Sequence, residues 1–190
     1  MGNPIQVSIG QFYGIEINDF AVTVAKTALW IAESQMMKET EDVVHMALDF
    51  LPLKSYANIT EGNALRTEWT EVIAKYELSY IMGNPPFVGY SLQGKDQKED
   101  ILSIYVDEKG KPYKTAGKID YVSGWYFKAA QYMQGTSIRT AFVSTNSITQ
   151  GEQVAGVWKP LYERFGIHID FAHRTFRWDS EASVKGHVPC

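Results

Sequence analysis

Apolar residues fall into short runs broken by polar turns, and the spacing inside each run predicts an element. Phe12 to Ile17 is an aromatic and β-branched run that predicts a strand, and Asn18-Asp19 behind it supplies N-cap chemistry for a helix. From Phe20 to about Met37 the residues Ala21, Val24, Ala25, Ala28, Leu29 and Ala32 recur at helical spacing, predicting an amphipathic helix with this stripe in a core. Lys38 to Phe50 is polar, then briefly apolar, and reads as a connection with a helical turn. Ala57 to Thr60 predicts a strand, Trp69 to Tyr76 a helix, and Leu78 to Met82 a further strand.

Between Val88 and Lys118 the composition shifts to Gly, Lys, Asp, Glu and Gln around an apolar island of Ile101, Leu102, Ile104, Tyr105 and Val106. So long a connection is either a lid or binding loop, or an ordinary insertion with a helix near Gln97 to Val106. Tyr121 to Met133 carries helical spacing through Val122, Trp125, Tyr126, Ala129, Ala130 and Met133, a pattern of core packing. Ile138 to Val143 predicts a strand ending in Ser144-Thr145-Asn146-Ser147. Val154 to Phe165 predicts a helix with Gly166 as its stop and a break or kink at Pro160, and Ile167 to His173 alternates like a strand. Strands separated by helices predict an α/β protein built on a parallel sheet.

Composition adds limits. The chain has 190 residues and 45% hydrophobic content, enough for one domain with a sizeable core. It contains no apolar run long enough to span a membrane and no basic-then-apolar leader, so the expectation is a cytoplasmic protein with no membrane partner. Cys190 is the single cysteine, which excludes an internal disulfide and a Cys-rich zinc site. A net charge of −4 argues against a stand-alone nucleic-acid binder, although Arg164, His168, His173, Arg174, Arg177, Lys185 and His187 make the tail locally basic.

The segment Asn84-Pro85-Pro86-Phe87, at the end of the run Leu78 to Gly83, carries specific chemistry. Neither proline has a backbone N–H, and each holds the residue before it extended, so the turn offers acceptors and no donors. An exocyclic amine placed there can donate to the Asn84 side-chain oxygen and to the Pro85 carbonyl, while Phe87 lies against the ring that bears it. A plain strand terminator has the same composition.

With these pieces in this order the chain resembles the class I S-adenosylmethionine-dependent DNA amino-methyltransferases. It is most similar to adenine-N6 enzymes of the gamma order and to the methylase portion of type IIG restriction-modification fusions. The resemblance covers almost the whole chain and implies a Rossmann-like parallel sheet with flanking helices. It makes Asn84, Pro85, Pro86 and Phe87 the catalytic motif. Glu16, at the end of its strand, matches the acidic residue that binds the cofactor ribose, with Ile17 beside it. Gly62-Asn63-Ala64-Leu65 matches the turn that meets the cofactor adenine, with Asn63 where family members often carry Asp. Phe176 matches the aromatic position that, with Phe87, sandwiches a flipped target base. Trp178 reads better as a core-edge residue. The partner implied is double-stranded DNA, read through a separate recognition domain. No metal is required, since the sulfonium methyl is already activated, and His168 and His173 fall on opposite faces of their expected strand.

The resemblance also implies a first strand followed by a glycine-rich turn, and nothing before Glu16 supplies one. The expectation is therefore a partial catalytic domain over residues 1–190, incomplete at both ends, with 88–118 as an insertion or lid. Such a piece would bind S-adenosylmethionine weakly and be inactive alone. The same acceptor turn also resembles enzymes that methylate a protein glutamine amide or a guanine N2 of ribosomal RNA, and a catalytically dead docking module stands as a further alternative.

Overall fold

The computed structural model describes residues 6–45 and 57–176. The chain divides into two compact units, Met1–Ile73 and Ala74–Cys190. The described residues form two parallel strand pairs, one in each unit, set among helices, so the class is α/β.

In the first unit, strand β1 (Tyr13–Glu16) leads into helix α1 (Asp19–Val44) and returns as β2 (Asn58–Glu61). The two strands pair in parallel from Tyr13↔Asn58 to Glu16↔Glu61. Helix α1 starts where the Asn18 side-chain oxygen accepts the Ala21 N–H at 3.0 Å, with Asp19 in the first turn complementing the helix dipole. It ends at His45, whose φ of 52° is left-handed. The helix runs seven residues past the expected stop at Met37. Within that extension Thr40 donates its hydroxyl to the Met36 carbonyl at 2.7 Å. The expected apolar stripe is not buried: Val24 is 49% exposed and Val22 is the buried residue of α1. A helix of 26 residues is about 39 Å long, whereas strands of four residues span about 13 Å, so β1 and β2 cover only part of it.

After β2 the expected helix over 69–76 is a single turn, α2 (Trp69–Val72), because Ile73 is extended at φ −155°; a 3₁₀ turn follows at Lys75–Glu77.

The second unit contains β3 (Tyr80–Gly83), α3 (Lys95–Ile104), α4 (Ser123–Tyr132), β4 (Arg139–Phe142) and α5 (Lys159–Phe165). Strands β3 and β4 pair in parallel from Tyr80↔Arg139 to Gly83↔Phe142, and the ladder continues with the Val143 N–H on the Gly83 carbonyl at 3.1 Å. The core is built by α3, α4 and α5 through Ile101, Tyr105, Val122, Phe127, Val157 and Leu161, all essentially inaccessible to solvent. Phe127 lies at its centre, with ring centroids 4.3 Å from Tyr105 and 5.0 Å from Phe165. Burial of a side chain of this kind contributes about 2 to 3 kcal/mol. Within residues 88–118, Ile101, Tyr105 and Ala116 are buried and belong to this core, while Leu92 and Leu102 are exposed.

The break expected at Pro160 is a π-helical stretch, Val154–Trp158, running into α5. Pro160 has no N–H to give the carbonyl four residues back, which belongs to Gly156. Gly166 then ends α5 at φ 60°, the left-handed conformation that favours glycine.

The alternating run Ile167 to His173 is not a strand. The chain there is largely exposed, Ile169 at 48% and Phe171 at 68%, and no strand is assigned to it among the described residues. Alternation gives the side-chain pattern of a strand but not the neighbouring ladder that defines one. His168 and His173 therefore do not lie on two faces of a sheet.

Candidate active site

In both units the polar groups of interest stand at the carboxyl ends of parallel strands. Open α/β sheets place their ligands there.

In the first unit, Glu16 ends β1 half-buried, and one of its carboxylate oxygens accepts the Asn18 N–H at 3.1 Å. Its other oxygen makes no hydrogen bond among the described residues. Ile17 follows, 67% exposed. Next to this end, the Gly62 N–H donates to the Glu16 carbonyl at 2.9 Å, which carries the strand pair directly into Asn63 and Ala64. Asn63 makes an Asx turn, its side-chain oxygen accepting the Leu65 N–H at 2.9 Å while its carbonyl accepts from Arg66 and Thr67. Trp69 closes the turn by donating its indole N–H to the Ala64 carbonyl at 2.9 Å. Gly62 has no room for a larger residue, because a Cβ there would stand 2.8 Å from the Thr67 hydroxyl oxygen. Glu16, Ile17, Asn63 and Ala64 are thus gathered at one end of one strand pair.

The acceptor motif belongs to the second unit. Asn84 is exposed, Pro85 buried, Pro86 exposed and Phe87 half-buried, directly after the last paired residue of β3. Neither the Asn84 side chain nor the Pro85 carbonyl makes a hydrogen bond among the described residues. Two prolines in succession place no backbone donor beside these acceptors. Phe176 is 45% exposed at the end of the extended segment after α5, and Trp178 lies outside the described residues.

Sequence reasoning missed the residues that hold the turn. Buried Asp120 accepts the Tyr90 N–H on one carboxylate oxygen at 2.9 Å and the Ser147 hydroxyl on the other. An acidic residue directly before the apolar run of α4 was the one available signal, and it reads equally well as a helix cap.

Parallel strands, crossover helices and polar groups collected at strand carboxyl ends define an α/β protein. The chain belongs to the MmeI DNA-methyltransferase domain family, whose model matches residues 2–190. It is 48% identical over 185 residues to DNA methyltransferase A of Bacillus subtilis (strain 168), an alignment covering 96% of this chain and 20% of that protein. The solved structure of the type IIL restriction-modification enzyme MmeI in complex with DNA superposes with a TM-score of 0.89 at 45% identity, covering 98% of this chain and 24% of that one. The chain therefore spans about a fifth to a quarter of the length of these relatives.

Proposed function

We propose that the chain is the catalytic portion of an S-adenosylmethionine-dependent DNA methyltransferase acting on the N6 amine of a flipped adenine, within a restriction-modification enzyme. The fold proposed with it is the class I, Rossmann-like one. The observation that carries the reading is the pair of unpartnered acceptors, the Asn84 side chain and the Pro85 carbonyl, at the carboxyl end of β3. Family membership and the DNA complex of the type IIL relative support DNA as the substrate.

The first unit fits the cofactor chemically. Glu16 keeps one carboxylate oxygen for the ribose hydroxyls, Asn63 and Ala64 present a polar turn to the adenine edge, and Ile17 offers an apolar face. S-adenosylmethionine, when bound, supplies a methyl group already activated on sulfur. The protein's own contribution is positioning. Asn84 and Pro85 accept the two amine hydrogens, which keeps the nitrogen lone pair directed outward. Phe87 and Phe176 stack on the extruded base, each contact worth about 1 to 3 kcal/mol by alanine substitution. The proton released from the methylated nitrogen passes to water after attack, so the reading requires no general base.

The test uses the protein at its full length, given labelled S-adenosylmethionine with duplex DNA, ribosomal RNA and release factor in parallel, beside an Asn84→Ala control. Label in DNA adenine that disappears in the control upholds the reading. Label only in RNA or protein overturns the substrate, and no label in any arm overturns the catalytic role.

A further inference from the structure

The acceptor turn cannot anchor itself. Pro85 and Pro86 donate nothing, and among the described residues the one bonded backbone group within Asn84 to Phe87 is the Pro86 carbonyl, which accepts the Val88 N–H at 3.2 Å. The first firm attachments lie just beyond, and all lead to one short segment. The Val88 carbonyl accepts the Tyr121 N–H at 2.9 Å, and the Tyr90 N–H donates to Oδ1 of Asp120 at 2.9 Å.

The second oxygen of Asp120 reaches a different loop. Oδ2 accepts the hydroxyl of Ser147, whose Oγ also lies 2.6 Å from the Thr145 hydroxyl. Ser147 follows β4 as Tyr90 follows β3, and the two strands are adjacent, ending at the pair Gly83↔Phe142. One carboxylate therefore ties together the loops leaving neighbouring strands at their carboxyl ends. Asp120 is itself fixed: its N–H donates to Gln153 Oε1 at 3.0 Å, while Gln153 Nε2 donates to the Lys118 carbonyl at 2.7 Å and Gln93 Nε2 to the Ile119 carbonyl at 2.9 Å. Gln93 and Gln153 are both buried.

The choice of residue is telling. Asp120 is only 6% exposed, and its two side-chain partners among the described residues are neutral donors, an amide and a hydroxyl. Burying a carboxylate without a cation is costly, and an amide could have filled the volume. What the carboxylate adds is two strong acceptors from one side chain, with charge-assisted hydrogen bonds about twice as strong as neutral ones.

We propose that Asp120 is a positioning residue for methyl transfer, bridging the loops after β3 and β4 so that Asn84 and Pro85 stay aimed at the target amine. This rests on the acceptor role given to Asn84 above.

The experiment compares Asp120→Ala, Asp120→Asn and Ser147→Ala in the full-length protein, measuring kcat and KM for S-adenosylmethionine on duplex DNA. Hydrogen exchange of the peptide covering 88–92 is followed alongside. Asp120→Ala should lower kcat by about 100-fold, the cost of a reacting group displaced by about 1 Å, with KM for the cofactor within about twofold of wild type. Ser147→Ala should give a smaller loss. Asp120→Asn, which can still accept from Tyr90 but gives Ser147 a neutral donor in place of a charged acceptor, should recover part of the rate, and exchange at 88–92 should accelerate in Asp120→Ala. Should Asp120→Ala fail to fold, the other two variants decide. Unchanged kcat in Asp120→Ala or, if that variant does not fold, in Ser147→Ala would overturn the proposal, as would no recovery in Asp120→Asn or a matching rise in KM. If Asn84→Ala keeps full activity, the acceptor role itself fails, and exchange at 88–92 then reports separately on whether Asp120 holds the loop.

Discussion

Tyr105 donates its hydroxyl to the Gly156 carbonyl at 2.7 Å, the carbonyl that Pro160 leaves without a helical partner. The same hydroxyl lies 3.0 Å from the Val157 carbonyl. A residue from the end of α3 thus completes the hydrogen bonding of a helix about fifty positions later. That allows the chain to pass through a π-helical stretch inside a dry core. Replacing Tyr105 by Phe keeps the ring packing against Phe127 and removes the donor. Leaving a buried acceptor unsatisfied costs about 1 to 3 kcal/mol. Urea unfolding should show a loss of that size with an unchanged slope, and an unaltered midpoint would show that the hydroxyl contributes nothing.

The same tyrosine predicts an alkaline limit. Burial pushes the Tyr105 hydroxyl well above the ordinary tyrosine range, with Tyr113 adding to the shift, and burial followed by the Glu77 charge raises Tyr132. Both keep their protons in the folded state at a pH where the unfolded chain loses them. Their contribution is therefore complete below about pH 10, the unfolded tyrosine value, and declines as pH rises above it. The Tyr105 part falls by at most about 1.4 kcal/mol per pH unit. Unfolding midpoints taken at about pH 9 and about pH 11 should converge more in Tyr105→Phe than in wild type.

Gly156 gives a steric prediction. A Cβ on it would stand 2.9 Å from Cγ2 of Ile119 and 3.5 Å from Cβ of Thr115. Ile119 is 1% exposed and has no open side to move into. Gly156→Ala should therefore destabilise by about 1 to 3 kcal/mol, the usual cost of overpacking, although alanine is the better helix former. A rise in the melting temperature would refute the close approach.

The four strands among the described residues were readable as short β-branched or aromatic runs, three of them closed by Glu or Gly and β4 by Ser144. Pro160 announced a disturbance because a missing N–H is a local fact. Features that depend on a distant partner were not readable. The alternation of Ile167 to His173 gives no sign of whether a ladder lies beside it. The end of α1 falls at the left-handed His45, beyond the point where the apolar stripe has faded. Asn84 stood out because two following prolines leave acceptors without donors, and Glu16 only through the family resemblance; both stand at strand carboxyl ends. Asp120 did not stand out, since its meaning lies in bonds to Tyr90 and Ser147, 30 and 27 positions away.

Glu16 separates binding from chemistry. In Glu16→Gln the retained side-chain oxygen still accepts the Asn18 N–H, so the start of α1 is preserved. The charge that would strengthen bonds from ribose hydroxyls in the proposed cofactor role is lost. Hydrogen bonds to charged groups are worth about 1.5 to 3 kcal/mol, and losing the charge-assisted part should raise KM for S-adenosylmethionine by about tenfold or more. Because Glu16 would bind the cofactor equally in ground and transition states, kcat at saturation should stay at its wild-type value. Steady-state kinetics of the full-length protein, with cofactor varied at saturating DNA, reads both numbers in one series. An unchanged KM would remove Glu16 from the cofactor site, and a fall in kcat alone would place it in the chemistry instead.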